Sequence, residues 1–433
     1  MLFFISTGEI YYLFRHNRIL LKKQLKQPKI NLTRPLFILP FCFVFLNGYA
    51  QSKDSVSLSS LIKKNSFALR DGNFQGTGWD ILQKEAEKVQ FLMIGEQHGE
   101  AEIPVFTEKI ADVFKPKAFV AEIDPYSAER LKKIAPNPTG YVAHFNKWPY
   151  DLAFYCWETE MHLAKKLITS KVDIWGLNEI TFMSTGLFFE ELSNIAKIPA
   201  NKQLALKKAI EYGLNDKPLY LDANTFNELS LFKLTTGYLD SLQFTFRNDN
   251  KQSQKMLRDL RASRPLLWEN YPMRVEMMKK NLLNYVAPYI GRDSISIPKL
   301  LFKFGANHLT RSNSTTGFYE VGNLADNLAA AQGKKTLHIL IFGKQGTINT
   351  MLSTDNKKAI QTYNVKDDKD LTSFKPFYSL VNDDEWAVFD LRPIRAALKR
   401  GSLKGSNLEM ENLLTGFDLL VLFSPVTGNK FIH

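Results

Sequence analysis

Glu96 and His98 stand two residues apart in the turn Gly95-Glu96-Gln97-His98-Gly99-Glu100-Ala101-Glu102. A neutral imidazole can take a proton from water, because its ordinary pKa lies near neutral pH. A carboxylate on the other ring nitrogen fixes the tautomer and stabilises the imidazolium that forms. With one residue between them in a loop, both side chains can face one cleft. Further polar residues follow apolar runs along the chain. Glu122 lies in the run 118–123, Asn178 and Glu179 follow 172–177, and Asn307 and His308 follow 299–305. Arg274, Met278 and Asn281 recur at helical spacing, which puts a guanidinium and an amide on one helix face. Glu122, in an otherwise apolar run, needs a cation or a donor, and Arg274 or a histidine meets that need. The candidate chemistry is acid–base, with a neutral histidine taking a proton from water. His98, Glu96, Glu122, Arg274 and His308 are the candidate catalytic residues. Glu102, Glu179, Asn281 and Asn307 are the candidate substrate-binding residues. No cofactor is called for, but two histidines among carboxylates also suit a metal, so a metal stays open as an alternative.

These residues converge only if the elements that carry them line up. Residues 90–95 read as a buried strand that breaks at Gly95. A helix should follow, with Ile103, Phe106, Ile110 and Phe114 on one face. A second strand over 118–123 completes a βαβ unit, so the two strands should be parallel. Strands at 172–177, 299–305, 336–343, 385–391 and 417–423 extend the sheet, and helices are expected at 126–134 and 150–169. The fold class is α/β, with a mostly parallel central sheet, flanking helices and an all-helical insertion. Residues 51–180 hold the first half of the core, 181–295 the insertion, and 296–433 the second half. Asp222 and Asn224 are candidate helix caps within the insertion. A loop is expected around Pro136, Pro138 and Gly140, and 350–384 reads as irregular. In a parallel sheet, the carboxyl ends of the strands share the edge where open α/β folds place their sites.

The 433 residues are 45% hydrophobic and 23% charged, the composition of a globular protein with room for a large core. The net charge of +12 is uneven, because residues 1–50 hold seven Lys/Arg and one acid, Glu9. No Lys/Arg stripe with interleaved aromatics occurs in the rest, which argues against nucleic acid as a partner. Basic residues at 22–34, an apolar run at 36–46 and the small residues before Gln51 form a secretory signal pattern, with cleavage expected after Ala50. The run falls short of the roughly 20 residues of a membrane span. The mature chain is therefore expected in the periplasm or outside the cell, with no stable membrane span and with a small molecule as its partner. Cleavage would remove Cys42 and leave Cys156 alone, so no internal disulfide can form. There is no Gly-x-Ser-x-Gly elbow, no Gly-rich phosphate loop and no His-Glu-x-x-His, so serine-hydrolase and nucleotide-binding readings lack support. His144, His162 and His338 lie within predicted helices or strands and read as structural.

The turn Ile94-Gly95-Glu96-Gln97-His98-Gly99, Glu122, the Arg274…Met278…Asn281 helix and Gly305-Ala306-Asn307-His308 together resemble the erythromycin esterase-like family. Phe389-Asp390-Leu391-Arg392 and Phe417-Asp418-Leu419-Leu420 add to the likeness. The single residue between Glu96 and His98 is closer to the haem-uptake ChaN-like proteins, and both groups belong with the TraB and Tiki proteins. Esterases of the family carry two residues at that point, and Ala306 stands near where they carry another histidine. The resemblance implies an α/β sheet with helical additions. It also implies water activation by His98, supported by Glu96, Glu122, Arg274 and His308. The ChaN-like side implies a haem- or iron-binding protein instead, with His98 or His308 as ligand. A family member that has lost catalysis is the third alternative.

Overall fold

The computed structural model describes residues 56–69, 74–221, 223–264, 270–290, 296–350, 361–368, 374–404 and 406–432. The expected signal segment, Asp222 and the side chain of Asn224 lie outside the described residues.

The core is one eight-stranded sheet. Its strands in chain order are β1 (Ser66–Leu69), β2 (Phe91–Glu96), β3 (Ala118–Ala121), β4 (Asp173–Gly176), β5 (Leu300–Gly305), β6 (Thr336–Gly343), β7 (Trp386–Asp390) and β8 (Leu419–Phe423). Their spatial order is β1-β7-β8-β6-β2-β5-β3-β4. All neighbours from β8 to β4 are parallel, and β7 alone runs against both of its partners. The sheet is mostly parallel, as the buried apolar runs suggest, because strands covered on both faces need no polar alternation.

Helix α1 (Glu102–Phe114) joins β2 to β3 and buries Ile103, Phe106, Ile110 and Phe114 completely. Burying such a side chain contributes about 1.5–3 kcal/mol. β2 and β3 are parallel but not adjacent, because β5, some 180 residues later in the chain, slots between them. Residues 177–299 lie between β4 and β5, and those described hold helices and loops but no strand. Two more helices matter for the site. Helix α2 (Glu158–Thr169) lies on the face of α1, and α3 (Tyr271–Val286) covers the opposite face through Met278, Leu282 and Val286. No helix among the described residues is long and apolar enough to cross a membrane.

Three local expectations are corrected. The Pro/Gly stretch near residue 138 is a helix, Pro138–Lys147, because proline at a first helical position needs no N–H partner. Within 350–384, Thr347–Thr350 pairs antiparallel with Gln361–Asn364, and Lys375–Tyr378 is a short helix. β1 was not expected at all. Its apolar run, Phe67-Ala68-Leu69, is only three residues long and Ala68 is exposed, so it lacks the signal of a longer buried strand.

Candidate active site at the carboxyl edge of the sheet

β2 and β5 deliver the first half of the site by register. Ile94 pairs with Lys303 and Glu96 with Gly305. Side chains alternate along a strand, so Glu96 and Lys303 share the face that carries Leu92, Ile94 and Leu301. Lys303 is buried, and its Nζ donates to Glu96 Oε1 at 2.8 Å and to Glu160 Oε1 of α2 at 2.5 Å. His98, in the turn after β2, places Nδ1 2.8 Å from the same Glu96 oxygen. Its Nε2 lies 3.5 Å from Glu122 Oε2, just beyond β3. Phe154 stacks on the imidazole with ring centroids 4.2 Å apart.

Gly305 makes this approach possible. A Cβ there would lie 3.0 Å from His98 Nε2 and 3.7 Å from Glu122 Oε2. Its own N–H donates to Glu122 Oε2 at 2.7 Å. The turn is pinned from outside as well, since the Gly99 carbonyl accepts from the backbone N–H groups of Asn349 and Asn429. Gly99 has φ of +97°, and a side chain there would strike the Asn349 carbonyl, so glycine is required on both counts.

The second half is organised by Arg274. Its Nε donates to both oxygens of Glu179, at 3.0 and 2.8 Å. Nη2 donates to Asn178 Oδ1 at 2.9 Å and reaches Glu122 Oε1 at 3.4 Å. Nη1 lies 3.1 Å from His308 Nε2. His308 Nδ1 faces Glu320 Oε2 at 3.0 Å. Glu320 also accepts from Tyr271, Ser314 and Thr316. His308 Nε2 lies 3.4 Å from Glu122 Oε1. Glu122 therefore joins the halves, with His98 at one oxygen and His308 and Arg274 at the other.

Burial sets the electrostatics. It opposes a charge on His98, but Glu122 and Glu96 outweigh it and push the imidazole up to about 9. Burial likewise opposes charge on Glu96 and Glu122. Lys303 and His98 hold the first below the usual carboxylate range, and His308, His98 and Arg274 hold the second there. Burial wins at Glu160, which is pushed up to about 7 despite Lys303. Glu160 and Glu96 overcome burial at Lys303 and keep it charged.

The structure thus brings Glu96, His98, Glu122, Arg274, His308 and Glu179 into one network. Glu102, Asn281 and Asn307, expected on the substrate side, are turned elsewhere. Glu102 accepts from the backbone and hydroxyl of Thr427 and ties down the carboxyl-terminal segment. The Asn281 amide donates to the Leu177 carbonyl at 2.8 Å, and Asn307 accepts from Thr315 on the exposed side. Lys303, Glu160, Glu320 and Tyr271 complete the network without having been singled out. A lysine inside an apolar strand was the one visible signal among them.

Among the described residues, no three His, Cys, Asp or Glu side chains are arranged to hold a metal ion. Haem iron needs an imidazole nitrogen that can face it. His98 turns Nδ1 to Glu96 and Nε2 to Glu122, and both nitrogens of His308 face protein partners. These residues do not fit a haem ligand.

No family model and no curated protein matches the sequence. Solved structures do match. A Bacillus cereus protein is 16% identical, over 87% of this chain and 98% of its own, with a TM-score of 0.54. A succinoglycan biosynthesis protein is 13% identical with the same coverage and TM-score. An erythromycin esterase variant, EreC in its open conformation, is 13% identical over 85% of this chain and 99% of its own, with a TM-score of 0.51. ChaN of Campylobacter jejuni, bound to haem, matches at a TM-score of only 0.31 over 64% of this chain. The likeness to the first three establishes a shared fold.

Proposed function

We propose that the protein is a hydrolase that cleaves an ester or amide with water activated by His98. The observation that carries this reading is one line of polar contacts, Glu96 to His98 Nδ1 at 2.8 Å and His98 Nε2 to Glu122 Oε2 at 3.5 Å, a separation that a water entering between them would bridge. In this reading neutral His98 takes a proton from water as the oxygen attacks the carbonyl carbon. The bond to the leaving group breaks, and the proton passes to that group. Glu96 orients the ring and stabilises the imidazolium. Glu122, held by Gly305 N–H and Arg274, faces the water. Arg274 and His308 act through Glu122 and are positioning residues. The fold shared with an erythromycin esterase supports the reaction class, and the substrate is a small molecule carrying such a bond.

The test is turnover of a panel of activated aryl esters and amides by the purified protein. His98→Ala should lower turnover about 100-fold to 10,000-fold, with little change in KM. Absence of any turnover at pH 9, or full activity in His98→Ala, overturns the reading. We also infer export, from the basic region and apolar run before Ala50. Mass spectrometry of the mature chain should find its first residue at or near Gln51, and retention of residues 36–46 would refute this.

A further inference from the structure

We propose that the helix Pro199–Asp216 docks the protein on an anionic lipid surface, through Leu206, Ile210 and Leu214 and the lysines that flank them. The proposal is independent of the hydrolase reading.

This helix has two apolar faces, and a surface helix needs only one. The first is buried, with Ala205, Ala209 and Tyr212 packed into the core. On the other side Leu206 is 46% exposed, Ile210 56% and Leu214 72%. A step of four residues turns an α-helix by about 40°, so the three form one stripe about 80° wide. Single exposed leucines are ordinary on a protein surface, but a contiguous apolar row rimmed by polar residues marks a contact site. Among the described residues no other helix carries three exposed large apolar side chains.

The charges around the stripe have one sign. Lys202 stands about 40° before Leu206, and Lys207 about 20° beyond Leu214. Lys197 precedes the helix, and Lys217 follows it and donates to the Asn146 carbonyl at 3.1 Å. All four lysines are exposed. The acids of this helix are engaged elsewhere. Asp216 is buried and accepts from Ser230. Glu211 accepts from Lys208 at 2.8 Å, and that lysine lies over the rings of Tyr212 and Tyr238, on the flank toward the neighbouring helix Thr236–Thr245.

An apolar stripe bordered by lysines is the pattern of a helix lying in the plane of a membrane interface. Leu206, Ile210 and Leu214 enter the acyl boundary. The lysines lay their stems along it and keep their ammonium groups among the lipid phosphates. The helix is too polar to cross the bilayer and lies on it instead. A protein partner fits less well, because the face offers no exposed aromatic, Met or Arg anchor. A second copy of the chain fits worse, since it would set lysine against lysine.

The test floats the full chain with vesicles of phosphatidylglycerol and phosphatidylcholine in equal parts, and with phosphatidylcholine alone as the neutral match. The protein should bind the anionic vesicles more tightly, and salt should weaken that preference. Leu206→Gln with Ile210→Gln should weaken binding at least about tenfold, since each side chain still has about half its surface to bury. Lys202→Gln and Lys207→Gln should each weaken it about fivefold, the usual worth of a lysine near an anionic surface. Any pull from residues 1–50 is common to every variant, so a local reporter is added. Leu214→Trp should add an emission that shifts to the blue on anionic vesicles and not on neutral ones. These positions are exposed, so the melting temperature without lipid should stay unchanged in every variant. Unchanged binding in both kinds of variant, or no emission shift, overturns the proposal. So does a dimer in solution that Leu206→Gln with Ile210→Gln dissociates, which would make the stripe a contact between copies.

Discussion

On one side of Glu122, Arg274 meets Glu179, Asn178 and His308, and Glu320 backs His308 with four donors around it. On the other side, His98 meets Glu96 and faces Glu122 across 3.5 Å, with Phe154 against its ring. The charges differ in kind. A guanidinium keeps its proton at any working pH, whereas an imidazolium between two carboxylates loses its proton near 9. The Arg274 half has the character of a scaffold, and the His98 half can exchange a proton. One carboxylate shared between them lets the scaffold set the field at the exchanging group.

The sharpest way to break this contrast is to remove each centre in turn. Arg274→Ala leaves Glu122 and Glu179 buried without their cation, and should destabilise the protein by about 3–5 kcal/mol in urea unfolding. Above pH 9, where His98 is neutral in the folded protein, His98→Ala leaves Glu96 with Lys303 and Glu122 with Arg274, so its loss there should stay within about 1–2 kcal/mol. Equal losses would mean that His98 is as structural as Arg274.

That contrast was only partly legible in the sequence. Glu96, His98, Glu122 and His308 could be placed together because each follows or ends an apolar run, and parallel strands gather such ends at one edge. Arg274 could be added from helical spacing. Lys303 and Glu160 could not, because pairing a strand interior with a helix requires β5 to sit between β2 and β3. Strand order is not written in local pattern, and β5 arrives after a long helical stretch. Glu320 and Tyr271 lie in polar surroundings where a carboxylate or hydroxyl reads as solvated. The same limit explains Glu102 and Asn281. Their positions suited the cleft, but nothing local revealed Thr427 or the Leu177 carbonyl as competing partners. The reversed direction of β7 was equally hidden, since an apolar run carries no arrow.

The second test turns on protonation. The folded pKa of His98 stands near 9, above the ordinary value of about 6.5 in an unfolded chain. The stability this contributes is fully present below pH 6.5 and is lost as pH rises through 9. The stability difference between wild type and His98→Asn should therefore shrink by about 3 kcal/mol across that window. A difference that does not vary with pH would show that His98 is neutral in the folded protein.

Activity should run the opposite way. At pH 7 only about one molecule in a hundred carries neutral His98, given a pKa near 9. If the neutral form is the base, kcat/KM should rise about 50-fold between pH 7 and 9 and level off above pH 10, about 100-fold over its value at pH 7. A profile that is flat to pH 9 and then falls would make His98 a proton donor instead, and would reverse its role while keeping its place.

The smallest effect is expected at Gly305, where the two halves come closest. The backbone there has φ of −50° and ψ of 138°, which alanine adopts without strain. Gly305→Ala also removes unfolded-chain entropy, worth about 0.4–1 kcal/mol in its favour. Against that, the new methyl would sit 3.0 Å from His98 Nε2, so the ring must give way by a few tenths of an ångström. The two contributions oppose each other, and stability should change by no more than about 1 kcal/mol. Turnover should fall about tenfold, because small misplacements of a reacting group are amplified in rate. The 2.7 Å hydrogen bond from the residue-305 N–H to Glu122 does not depend on the side chain and should survive. The variant therefore isolates the gap between His98 and Glu122 from everything that holds it. Unchanged turnover would mean that no reacting atom passes through that gap, and the chemistry would have to be sought on the other side of the imidazole.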